Sequence, residues 1–233
     1  MPCRRHWLIA FAIPTVTIGV GCTARPQASL VGLSLDTTKV LAEMSQKDSD
    51  TFRFASVAYY DFPELPDRIA VLHATGVHSE HTFAFTLNRL GEAHAFYDSQ
   101  FTSECGEDQP GPTIVTLLEV AKRPLVVLEE ARVGVLCVGQ STREIATATF
   151  FDPRGSFRKV LALERSNVNH GNYEDSTTTR PTFRHTYFVP NACTGAAGCL
   201  YLSVFTASSE LGYHQHFYSY HWNSDSTALV GFR

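Results

Sequence analysis

A chain of 233 residues with 12% aromatic and 18% charged residues is too apolar for intrinsic disorder and long enough to bury a sizeable core. Its 19 basic residues face 23 acidic ones, for a formal net charge of −4. That balance excludes the basic surface on which nucleic-acid binding rests.

The chain opens MPCRRHWLIAFAIPTVTIGVGC, with Arg4 and Arg5 ahead of an uncharged apolar run from Trp7 to Val20 that Pro14 breaks once. A charged start, an apolar run and a small-residue stop make a signal peptide. The run falls short of the about 20 consecutive apolar residues a spanning helix needs, so it reads as a cleaved address.

Its end, Gly19-Val20-Gly21-Cys22, resembles the lipobox of bacterial lipoprotein precursors, where an aliphatic residue and small residues precede a lipid-modified cysteine. The resemblance covers the leader alone. It implies a diacylglycerol thioether on Cys22 and a membrane partner reached through that lipid. With Thr23 in place of Asp, it also implies sorting to the outer membrane, facing the periplasm. Gly19 stands where such leaders more often carry Leu or Val, which keeps ordinary cleavage near Ala24, and a secreted or periplasmic product, as an alternative. Arg4-Arg5-His6-Trp7-Leu8 is loosely similar to a twin-arginine signal, although general export is the preferred route. With Arg4 and Arg5 removed, 19 basic residues become 17 and the mature charge is about −6.

Residues 22–33 contain Arg25, Pro26 and Gln27 and show no periodicity, as suits a tether between lipid and folded body. A single β-rich domain is expected over 34–233. Its one helix is placed at Ser34 to Lys47, where Asp36 can cap the start and Val40, Leu41 and Met44 share a face.

From Thr51 onward short runs rich in Val, Ile, Tyr, Phe and Thr alternate with Gly, Pro, Asn or Asp, the pattern of strands. Strands are expected near 53–60, 69–74, 81–88, 93–98, 113–119, 124–129, 132–138, 144–151, 158–164, 182–189, 199–206, 213–222 and 227–232. Short breakers such as Asp152-Pro-Arg-Gly155 and Asn223-Ser-Asp-Ser226 favour antiparallel hairpins. Helical segments do not alternate with them, so the fold class is mainly β: antiparallel sheets, sandwich or propeller-like, with one short N-terminal helix.

Tyr60-Asp-Phe-Pro-Glu-Leu-Pro-Asp-Arg-Ile-Ala-Val-Leu72 resembles an eroded loop and strand of FG-GAP-type repeats. The final hairpin, Phe217 to Trp222 and Ala228 to Phe232, is similar to the closing hairpin of some exported proteins carrying that repeat. The resemblance covers about a sixth of the chain and implies a propeller-like arrangement. It does not imply a calcium site, because Asp61, Glu64 and Asp67 alone could supply carboxylates and both loop glycines are missing.

In an exported chain, Cys105, Cys137, Cys193 and Cys199 form an even set and suggest disulfides. The loop Cys193-Thr-Gly-Ala-Ala-Gly-Cys199 is short and built of small residues, so its two sulfurs can meet across the neck. Cys105 is then left with Cys137.

His214 and His216 lie two apart in an expected strand, on one face with Tyr218, Tyr220 and Trp222, while His221 points to the other. His78 and His81 occupy a turn, with His73 and His94 near in sequence. Two histidines are not a metal site, which needs three or four converging ligands, so no metal and no cofactor is assigned. Nucleophile elbow, phosphate-binding loop and dinucleotide fingerprint are all missing from the sequence, and no catalytic residue is assigned. Glu104, Glu107 and Asp108 beside Cys105 read as a solvated loop, and Glu129-Glu130 as a turn between two apolar strands.

The polar stretch from Asn167 to Arg180 is the longest expected loop. Its Asn, Tyr, Glu, Asp and Arg side chains suit hydrogen bonding to a sugar or a peptide. Taken together, the sequence describes an exported, lipid-anchored envelope protein with a non-catalytic binding or structural role. Its partner would be an envelope protein or small ligand. The alternative is a periplasmic hydrolase or metal-dependent enzyme built where the His214/His216 strand meets the 167–180 loop.

Overall fold

A computed structural model of the chain describes residues 33–48, 51–77, 79–102, 109–135, 142–170, 182–193, 198–208 and 212–232. The leader, Cys22, most of the tether, His78, Cys105 with its acidic neighbours, Cys137 and residues 171–181 lie outside the described residues.

The described elements are one helix, α1 (Thr37–Asp48), and twelve strands: β1 (Arg53–Tyr60), β2 (Arg68–Thr75), β3 (Ser79–Leu87), β4 (Ala93–Thr102), β5 (Gln109–Val120), β6 (Arg123–Val135), β7 (Thr142–Asp152), β8 (Arg158–Asn169), β9 (Thr182–Pro190), β10 (Leu200–Ser208), β11 (Gly212–Trp222) and β12 (Leu229–Phe232). They form a four-stranded sheet, β1 to β4, and an eight-stranded sheet, β5 to β12. Every pairing joins consecutive strands and is antiparallel. The mainly β expectation holds, and neither sheet closes into a barrel. No described helix is long and apolar enough to cross a membrane.

Asp36 caps α1 by accepting a hydrogen bond from the Lys39 amide at 3.0 Å. The helix therefore starts after Asp36, three residues later than its expected first residue. Val40, Leu41 and Met44 pack on Ala70, Leu72, Phe83 and Phe85, one face of the first sheet. The opposite face presents Ile69, Val71 and Ala84 to Val115, Val126, Leu128 and Phe151 of the second. Both faces of β2 and β3 are thus covered, which is why both strands are buried along most of their length and β2 carries the apolar run Ile69 to Leu72.

The eight-stranded sheet is bent into two halves. β8 pairs with β9 only over Ser166–Asn169 and Thr182–His185. Beyond those residues the strands part, and β5–β8 face β9–β12 across a third core of Val120, Leu125, Val127, Phe150, Leu200, Leu202 and Leu229. Arg165 fills the split, 3.4 Å from Glu129 Oε2, with its guanidinium 5.3 Å and 5.0 Å from the Tyr187 and Phe188 ring centres. The result is three successive four-stranded meanders stacked face to face, with α1 on the outer side of the first.

The expected break at Glu129-Glu130 is wrong. Glu129 and Glu130 do not form a turn; they sit inside β6, which merges two expected strands into one. Successive strand residues point to opposite faces, so Glu129 meets Arg165 while Glu130 faces the first sheet. Each carboxylate has a partner, and the strand does not need to break.

The β5–β6 turn is held from a distance. Ala121 and Lys122 both have positive φ, 55° and 60°, without the Asn-Gly or Gly-Gly sequence such a turn prefers. Asn191 accepts from the Ala121 amide at 2.7 Å and donates to the Glu119 carbonyl at 3.0 Å. Gly198, at φ 62°, passes so close that a Cβ there would lie 2.9 Å from Ala121 and from Asn191 Oδ1.

Candidate functional site

An open polar site lies across β7 to β11, at the end where the bent sheet remains continuous. Register places Asn167 beside Arg184, Arg184 beside Thr206 and Thr206 beside His214, all on one face. Together with Arg143, Glu164, Asn169 and Ser208 they line a trough of about 430 Å³, within the range of small-molecule sites.

The trough is cross-linked. Arg143 Nε donates to Asn167 Oδ1 at 3.0 Å, and Asn167 Nδ2 donates to Glu164 Oε2 at 2.8 Å. Glu164 Oε1 lies 3.5 Å from Arg184 Nη1. Glu164 and Asn167 share this face because the β7–β8 register slips at Ala146/Thr147, where Arg165 is the extra residue. Such a chain fixes rotamers before a ligand arrives, which lowers the ordering cost of binding. Two guanidinium groups against one carboxylate leave the trough net cationic apart from His214.

The sequence reading placed part of this site. His214 and His216 do share one face of β11, and Asn167 and His214 line the same trough with β9 and β10 between their strands. Asn167 to Asn169, however, extend β8 and are not loop. Arg143, Glu164 and Arg184 were missed as a site. The available signal is a polar run, Glu164-Arg165-Ser166-Asn167, following the apolar first part of β8.

A second polar region lies between the first sheet and β5–β6, around a cavity of about 90 Å³, roomy enough for a few waters. Tyr97 donates to buried Glu130 at 2.6 Å, and Arg132 reaches Glu130 Oε2 at 3.5 Å and Ser99 Oγ. Burial, then the charge and hydrogen bond of Glu130, push the Tyr97 phenol well above its usual range. Burial lowers His73, partly offset by Glu130.

Burial also raises the Glu80 carboxyl, against a smaller opposing pull from Arg132, and Glu80 Oε2 has no hydrogen-bond partner. A raised folded-state pKa means that ionisation weakens the fold as pH rises from about 4.5, the ordinary value, through the folded one. Glu80→Gln is therefore expected to stabilise the protein at pH 7 and to have little effect at pH 4. Urea denaturation at the two pH values checks this, and an equal effect at both would refute it.

The remaining expected residues separate. Asp61 forms a two-point pair with Arg68, at 2.9 and 2.8 Å, and among the described residues it does not converge with Glu64 and Asp67. His73 and His81 point to opposite faces of β2–β3; His81 is buried against Phe52 and Phe83. Cys193 and Cys199 are joined across the loop neck as expected, with Cα atoms 5.6 Å apart.

Comparison with known proteins finds no matching family model, no matching curated protein and no matching solved structure.

Proposed function

We propose that this chain is an exported cell-envelope protein, anchored through lipid on Cys22, whose trough across β7 to β11 binds a polar, hydroxyl-bearing small ligand without transforming it. The observation that carries this reading is the Arg143–Asn167–Glu164–Arg184 chain lining an open trough. Amide and guanidinium donors, a carboxylate acceptor and the hydroxyls of Thr182, Thr206 and Ser208 match the alternating donors and acceptors of a saccharide or sugar acid. The leader supplies the location, through its resemblance to lipoprotein precursors.

A panel of oligosaccharides and sugar acids, screened by thermal shift and calorimetry, tests the reading. For a ligand found, Arg184→Ala and Arg143→Ala are each expected to weaken binding about tenfold or more, the value of a hydrogen bond to a charged group. Undiminished binding by both variants would remove the trough from the account. For the anchor, radiolabelled fatty acid is expected in the wild-type chain and not in Cys22→Ser; an unacylated wild type would overturn it.

The hydrolase reading rests on one observation, that His214 and Glu164 line the same trough. Turnover of the bound ligand, lost in His214→Ala, would replace the binding reading with it.

A further inference from the structure

The disulfide between Cys193 and Cys199 has a third neighbour that a structural cross-link does not require. Leu200 pairs with Tyr220 across β10 and β11, and extending that register by one residue sets Cys199 opposite His221. Cys193 Sγ, Cys199 Sγ and an imidazole nitrogen of His221 all lie within 4.8 Å of one another. Cys199 is wholly buried, and its carbonyl accepts from the Asn191 amide at 2.6 Å, so that donor is fixed. Cys193 is half-buried, and only the five small residues Thr-Gly-Ala-Ala-Gly separate it from Cys199 in sequence.

We propose that reduction of this disulfide creates a three-donor site for a thiophilic metal ion, Cu⁺ being the best match. Metal–donor bonds of about 2.0–2.3 Å set neighbouring donors about 3.5–4 Å apart. The three atoms already lie within 4.8 Å of one another, so separation of the two sulfurs and a small shift of the ring bring them to that spacing. Two thiolates and one imidazole form a soft set that completes a trigonal shell for Cu⁺, whereas Zn²⁺ would demand a fourth ligand.

The switch balances as thiol–disulfide exchange. A dithiol reductant forms its own disulfide, and the two electrons and two protons it gives up break the Cys193–Cys199 bond and yield two thiols. Binding of Cu⁺ then displaces both thiol protons to solvent. Metal uptake is thereby gated by redox state, and the oxidised pair holds no thiolate to offer.

The test uses the full chain, prepared anaerobically in oxidised and dithiol-reduced forms, freed of reductant and titrated with Cu⁺ held by a chromophoric chelator. One equivalent is expected to transfer to the reduced protein and none to the oxidised one. Cys193→Ser and His221→Ala are each expected to weaken uptake at least tenfold. Uptake that survives oxidation, or that Cys193→Ser leaves intact, assigns the ion to other cysteines and overturns the proposal. Because His221→Ala can fail to fold, copper-edge X-ray absorption of the wild-type complex decides independently: two sulfur donors and one nitrogen support the site, and sulfur alone refutes it.

Discussion

Phe150→Ala is expected to lower the free energy of unfolding by about 3–5 kcal/mol, the range for emptying a large buried aromatic position. Phe150 is fully buried between the two halves of the eight-stranded sheet and meets Phe188 edge to face, with ring centres 5.4 Å apart. Neighbouring strands cannot close on the space, because Leu200 and Leu202 are held by pairing on both sides of β10. Urea denaturation followed at Trp222, which borders the same core, reads the effect as a lower midpoint at unchanged slope. A loss below about 1 kcal/mol would show that the halves do not share a close-packed interior.

Glu130→Ala should cost about 3 kcal/mol, because removing one member of a buried charged group strands the others. Glu130 is 4% exposed, and its loss deprives the Tyr97 hydroxyl and the Arg132 guanidinium of their common acceptor. Arg132 keeps Ser99 and some solvent, which places the cost at the low end for such deletions. Tyr97→Phe in the wild type should cost more than Tyr97→Phe in Glu130→Ala. A double-mutant cycle with a coupling of about 1–3 kcal/mol is the expected result, and a coupling near zero would mean that the contact contributes nothing.

Both residues show what a single sequence makes legible. Phe150 falls in an alternating apolar run, and that period identifies the strand and its buried face without reference to anything distant. Glu130 breaks such a run, and local pattern then favours a turn. Tyr97, supplied by another sheet, together with Arg132 makes a buried carboxylate acceptable within β6. The Ala121-Lys122 turn fails in the same way, because Asn191, 70 residues away, holds a backbone shape that its own residues do not prefer. His214 and Asn167 were brought together in expectation, since each stood out as polar in its own segment. Arg143 and Arg184 joined them only through strand register and the bulge at Arg165, neither of which can be read from the chain one segment at a time.

Consecutive pairing within each of the two sheets also sets the order in which the chain becomes protected. No strand has to wait for a partner made much later, so each loop closed along the way is short and inexpensive in entropy. A chain emerging from its N-terminus can pair each strand with its predecessor as it arrives, except β5, which starts the second sheet. The contacts that span the greatest sequence distance behave differently. Ala121 with Asn191, Arg123 with the Ser226 carbonyl and Trp222 with the Val120 carbonyl bridge 70, 103 and 102 residues. They converge on the β5–β6 turn, and two of the three come from the last hairpin, which makes that hairpin a latch. A nascent chain halted before Trp222 would hold most of its native pairings while the third core stayed open, vulnerable to proteases until the final strands close it.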